Sequence, residues 1–165
     1  VSTSCFIPKP HSPFQWEPQV SMEEYKRRVN LLRESITAKN VSYNWHDPDT
    51  SFVEAALSRG DRKIADVIEA VWRDGGRMEA WSDYFRFSRW MKAFETCGLD
   101  PEFYASRERG EDEVLPWYRV SMGVRTSLLL RERHRAYEAQ LSPDCRAACS
   151  ACGAAKLLEE GVCDG

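Results

Sequence analysis

The sequence has no long apolar run, no excess of basic charge, and few cysteines until its last residues. Its longest apolar runs, Leu128-Leu129-Leu130 among them, are three residues, far short of the roughly 20 a membrane-spanning helix needs. Lys+Arg 23 against Asp+Glu 26 leaves a formal net charge of −3, so no general basic field gathers nucleic acid. The opening residues Val1–Ile7 lack a charged n-region and a long apolar h-region, and the cytoplasm is therefore the expected compartment. No G-x-G-x-x-G, Walker loop or H-E-x-x-H occurs, which leaves phosphate cradling and zinc-protease chemistry without support. What is there, 42% hydrophobic, 12% aromatic and 30% charged residues over 165 positions, is the composition of one globular domain and not of a disordered tail or a fibrous rod.

Reading along the chain, Val1–Ile7 is predicted as a short strand, stopped by Pro8 and Pro10, since proline removes a ladder donor. Pro8, Pro10 and Pro13 make the next segment a stiff, extended loop. Ser21 and Glu24 form a capping box. Behind it Tyr25, Val29, Leu32 and Ile36 share one face of a helix expected to reach about Lys39. A second short strand is expected over Val41–Trp45. Asp47-Pro48, or Ser51 with Glu54, opens the next helix and Gly60 closes it. Asp61 caps another, with Ile64, Val67, Ile68 and Val71 at helical spacing and Gly75-Gly76 as its stop.

The aromatic stretch Trp81, Tyr84, Phe85, Phe87, Trp90 and Phe94 reads as core in preference to a base-stacking platform, with Gly98 ending its helix. Asp100-Pro101 starts one more turn through Tyr104, and residues 106–113 form a charged loop. A last helix spans Val124 to Gln140, its Arg125, Arg131, Arg133, His134 and Arg135 forming a solvated face with Glu132 and Glu138. His46 beside Asp47 is better explained by helix capping than by acid–base chemistry. No internal repeat is visible. The first strand has no hairpin partner in this layout, and an unpaired strand leaves backbone groups unsatisfied. A longer parent protein supplying the neighbouring strands is therefore expected, in keeping with a chain that opens on Val1.

The cysteines carry the chemistry. Cys5 and Cys97 stand alone, whereas Cys145, Cys149, Cys152 and Cys163 fall within the last 21 residues. A disulfide framework spreads along a small secreted chain; clustered thiols at short spacing point instead to metal. Cys145, Cys149 and Cys152 spell C-x3-C-x2-C, three thiolates within eight residues, and Cys163 offers a fourth. Ala147, Ala148, Ser150 and Ala151 let the loop wrap, Gly153 admits close backbone, and Arg146 offsets charge. Zinc modules more often pair two C-x2-C units, so an iron–sulfur cluster is favoured and zinc is the alternative.

The run Val1–Trp16, with Lys9-Pro10-His11-Ser12-Pro13-Phe14, resembles the last barrel strand and exit loop of a radical S-adenosylmethionine (radical SAM) protein. The likeness is to a bacterial group of cobalamin-binding-domain-linked radical SAM proteins. It continues through Trp45-His46-Asp47-Pro48, Arg59-Gly60-Asp61-Arg62, Asp100–Tyr104, Glu113–Trp117 and Asp144-Cys145-Arg146, and so covers essentially the whole chain as that family's C-terminal portion. Ser12 stands where the family has Thr. The cobalamin-type domain and the barrel's own cluster motif have no counterpart here. That catalytic motif has the same C-x3-C-x2-C spacing, but the barrel follows it, whereas 13 residues follow Cys152.

The resemblance implies a mainly α fold with one or two short N-terminal strands: residues 1–20 as the end of a radical SAM (β/α) barrel, 21–140 as a helical extension and 141–165 as a metal-binding tail. It implies S-adenosylmethionine as cofactor of the parent, an upstream barrel in the same protein or a partner chain, and Lys9 and His11 approaching cofactor or substrate. No catalytic residue is assigned within the chain. The rival reading is a non-catalytic helical module, fixed by zinc and binding a protein or RNA partner.

Overall fold

A computed structural model describes residues 1–154. They fall into two compact units: the first is Val1–Pro8 with Pro18–Glu108, the second Lys9–Glu17 with the residues from Arg109 onward. The first unit holds β1 (Ser2–Thr3), α1 (Met22–Ser35), β2 (Asn44–Trp45), α2 (Pro48–Arg59), α3 (Ile64–Arg73), α4 (Phe87–Thr96) and the short turn α5 (Pro101–Ala105); the second holds α6 (Thr126–Tyr137). The described chain is thus mainly helical, with one strand pair. None of its helices is long and apolar enough to cross a membrane.

Local chemistry explains where these helices start. The Ser21 hydroxyl accepts the Glu24 N–H at 3.2 Å, the first half of the expected capping box, and so caps α1. Glu24 itself is gripped by Arg27 and Arg28, which hold its carboxyl down at about 2. Asp47 accepts the Thr50 N–H at 2.8 Å ahead of Pro48 in the first position of α2. Gly60 ends α2 because only hydrogen fits there: a Cβ would stand 2.2 Å from the Cγ1 of Ile64. Gly98, at φ +65°, takes the left-handed turn after α4.

The main core is built by α2, α3, α4 and α5. Phe52, Ala55 and Ala56 from α2 meet Ile64, Val67 and Val71 from α3, Trp90 and Phe94 from α4, and Tyr104 from α5. The Arg59 side chain is wholly buried with them, its guanidinium donating to the carbonyls of Ala105 and, at 2.9 Å, of Arg107. It ties the end of α2 to the end of α5.

Several expectations need correction. The first strand does have a partner: β1 pairs in parallel with β2, Ser2 opposite Asn44 and Thr3 opposite Trp45. The pairing was not readable as a hairpin because α1 lies between the strands. α1 stops at Ser35, since Tyr25 and Val29 are buried but Leu32 is exposed and nothing packs on the last turn. α3 starts at Ile64, after a turn in which Asp61 accepts the Lys63 N–H at 2.9 Å. The aromatic stretch divides: Trp90 and Phe94 are core, but Trp81 and Tyr84 face solvent.

Removing the Phe94 ring leaves a cavity in the main core. Phe94→Ala is expected to destabilise the protein by about 3–5 kcal/mol in urea unfolding. Ile68→Ala, on the exposed face of α3, is expected to stay within about 0.5 kcal/mol of wild type.

Candidate functional site

The second unit carries most of the residues singled out by sequence. Its first segment is a tight proline-rich loop: the Ser12 hydroxyl donates to the Lys9 carbonyl at 2.7 Å, and the Gln15 N–H to the Ser12 carbonyl at 3.1 Å. His11 sits at φ +57°, and its N–H donates to Gln15 Oε1 at 2.9 Å. The same oxygen accepts the indole N–H of Trp117 at 2.7 Å. Trp16, Leu115 and Leu129 form the small core beneath, and the Trp16 carbonyl accepts the Arg109 N–H at 2.8 Å.

A charge cluster joins this loop to α6. Arg133 is only 8% exposed; its Nε donates to Glu17 at 2.7 Å and its Nη1 to Glu111 at 2.6 Å. The same Glu111 oxygen lies 2.8 Å from His134 Nε2. The bonds from His134 and then Arg133 hold the Glu111 carboxyl below its usual range. Burial opposes the charge on Arg133, but the two carboxylates outweigh it and its basicity rises. The hydroxyl of Tyr137, hydrogen-bonded to Glu17, is pushed up chiefly by that carboxylate. The expected solvated arginine face is therefore corrected at Arg133, which lies one turn beyond Leu129 and turns inward with it.

The cysteine tail follows α6. The Asp144 carboxylate accepts the Arg146 N–H at 2.8 Å and its Nε at 3.1 Å, so Arg146 is spent on Asp144. Cys145 and Cys149 are exposed and Cys152 half-buried, all three as free thiols. The sulfur of Cys149 accepts the Ala151 N–H at 3.4 Å, and that of Cys152 accepts the Ala154 N–H at 3.3 Å. The tail rests on the start of α6: the Cys152 carbonyl accepts the Arg125 N–H at 2.7 Å, and the Ser150 carbonyl accepts from the Arg131 guanidinium. Gly153, at φ +93°, makes this approach possible, since a Cβ there would meet the Gly123 carbonyl oxygen at 2.9 Å.

Cys145, Cys149 and Cys152 are not gathered into one ligand set: among the described residues no three His, Cys, Asp or Glu side chains converge to hold a metal ion. Cys163 lies outside the described residues. Lys9 is exposed, and half-buried His11 lines a cavity of about 290 Å³ with Gln15, Trp16 and Trp117. His46 is exposed; its backbone N–H donates to the Thr3 carbonyl and its own carbonyl accepts the Tyr25 hydroxyl, while Asp47 caps α2. Cys5, in the first unit, is half-buried, and burial pushes its thiol up.

Gln15, Glu17, Glu111 and Arg133 escaped the sequence reading. The spacing of Leu129 and Arg133 on one helical face was the available signal for Arg133. Nothing local marks Glu17 and Glu111, whose partner Arg133 is more than 20 residues away, and Gln15 joins its neighbour His11 to the distant Trp117.

Comparison with protein-family models, with curated proteins and with solved structures found no match to this chain.

Two variants test the charge cluster. Arg133→Ala leaves two carboxylates facing each other without their cation and is expected to cost roughly 3 kcal/mol in chemical unfolding. Because the Glu111 carboxyl is lowered in the folded state, its contribution is complete above its ordinary value of 4.5 and is lost as pH falls through the lowered value. The thermal midpoints of wild type and Glu111→Gln should therefore differ at neutral pH and converge on acidification; a gap that stays constant contradicts the assignment.

Proposed function

We propose that the chain is the C-terminal portion of a radical SAM iron–sulfur enzyme, and that Cys145, Cys149 and Cys152, with Cys163, hold an auxiliary metal centre in its tail. The observation that carries this reading is the pair of backbone N–H···S bonds to Cys149 and Cys152. Hydrogen bonds donated to sulfur are a recurring feature of the cysteines that hold iron–sulfur clusters, where they tune the cluster. Ligand sets of this kind assemble as the metal binds, binding free energy serving as folding free energy. The exposure of Cys145 and Cys149 leaves them able to close on a centre.

In this reading the Arg125 N–H and the Arg131 guanidinium hold the Ser150–Cys152 backbone against α6. They orient two of the sulfurs before any metal arrives. A bound iron–sulfur cluster would supply one-electron transfer. Cleavage of S-adenosylmethionine belongs to the upstream barrel, which this chain would close with its first strand and exit loop, Lys9 and His11 approaching the substrate side. The competing assignment is zinc, which suits the C-x2-C of Cys149 and Cys152 and would make the chain a structural module for a protein or RNA partner.

Anaerobic reconstitution of the 165-residue chain, followed by iron, acid-labile sulfide and zinc analysis, separates these. A brown protein with iron and sulfide is expected, with both lost in a Cys149→Ser, Cys152→Ser double variant, and with no 5′-deoxyadenosine formed from S-adenosylmethionine and a reductant. A colourless protein retaining one zinc selects the structural module. Retention of neither metal contradicts both.

A further inference from the structure

The second unit also holds a cavity that the cysteine tail does not explain. It is lined by His11, Gln15 and Trp16 and by side chains drawn from the stretch between Glu111 and Leu129, with Arg119 and Arg125 not among them. Residues 110–125 contain no helix or strand, a length of irregular chain that compact domains seldom carry without a function. Within that stretch Val114, Tyr118, Val120 and Met122 are each more than half exposed, and all four line the cavity. Such a cluster of exposed apolar side chains marks an interaction site.

The polar groups define what would enter. Gln15 is 3% exposed, and its Oε1 already accepts two N–H bonds, from His11 and Trp117. Two donors on one atom identify it as the oxygen and leave the amide NH2 as the group still able to donate. Trp16 is 1% exposed, and its indole N–H, also a donor, has no acceptor. Orphaned buried donors are rare and call for a partner. Glu111, already paired with Arg133 and His134, and Glu113 line the cavity and no Lys or Arg does, so the lining offers no cation to an anionic group such as phosphate. Trp117 and Tyr118 supply aromatic surface; each has an arginine over its ring, Arg109 and Arg119, both at 5.3 Å, so a flat π-system would pack on the remaining face of each.

We propose that this cavity binds a neutral nucleobase bearing a ring carbonyl, which accepts from the Gln15 amide while the ring packs on the Trp117–Tyr118 wall. A cavity of about 290 Å³ has room for such a base. Its ribose and any phosphate stay outside, away from Glu111 and Glu113. Guanosine and uridine present such a carbonyl; adenosine does not. The inference is independent of the metal centre and holds with or without one.

The test titrates the full chain with guanosine, uridine and adenosine, reading the indole N–H resonances of Trp16 and Trp117 by NMR and the affinity by calorimetry. Guanosine and uridine are expected to shift both resonances saturably, and adenosine to bind about fivefold more weakly, the loss of one hydrogen bond. Gln15→Glu keeps the accepting oxygen but removes the NH2, and should weaken guanosine by about fivefold or more. Should that buried carboxylate unfold the protein, Val120→Asp, at an exposed wall position, should weaken all three nucleosides. Absence of saturable shifts, adenosine binding as tightly as guanosine, or a folded Val120→Asp binding like wild type would each overturn the proposal.

Discussion

A buried guanidinium must find its counter-charges or the site does not form, and Arg133 finds two. Glu17 comes from the proline-rich loop and Glu111 from the start of the long irregular segment, and both meet α6 at one side chain. Everything of chemical interest in the second unit hangs on that junction. The loop presents His11 and Gln15, the irregular segment supplies the cavity wall, and α6 carries at its first turns the contacts on which the cysteine tail rests. The ionic cluster stabilises less by its own net energy than by forbidding alternatives, because any arrangement that separates Arg133 from its carboxylates buries an unpaired charge.

The first unit solves the same problem differently. Arg59 is also buried, and the groups that receive its guanidinium include the backbone carbonyl of Ala105, the last residue of α5, and that of Arg107 just beyond it. A cation near a helix C-terminus meets the negative end of its dipole, so one side chain satisfies several acceptors and fixes α2 on α5. The two arginines share a logic: where small helical units lack a large core, a multidentate donor replaces apolar area as the element that specifies packing.

Helix starts were the most legible feature, because capping is local. Ser21 with Glu24 and Asp47 with Pro48 act where the spacing put them, and so do Gly60 and Gly98. The inward helical faces at Tyr25 and Val29, at Ile64, Val67 and Val71, and at Trp90 and Phe94 followed from periodicity for the same reason. What escaped was non-local. The parallel pairing of β1 with β2 spans α1, and the partners of Gln15 and Arg133 arrive from distant loops, where sequence spacing carries no signal. The helix end at Ser35 fell short of the apolar pattern because an exposed face does not sustain a helix, and α6 ends at Tyr137, two residues before Ala139 takes a positive φ. At the tail, sequence supplied the thiols and their spacing, and the structure added what spacing cannot, the N–H donors on two sulfurs and the anchoring of Cys152 to α6.

The account turns on whether the tail thiols act together. Alkylation of the 165-residue chain with and without bound metal, read cysteine by cysteine by mass spectrometry, addresses that most directly. Metal is predicted to protect Cys145, Cys149, Cys152 and Cys163 as a set, leaving the reactivity of Cys5 and Cys97 unchanged. Equal labelling of the four tail thiols in the two samples would contradict a shared centre.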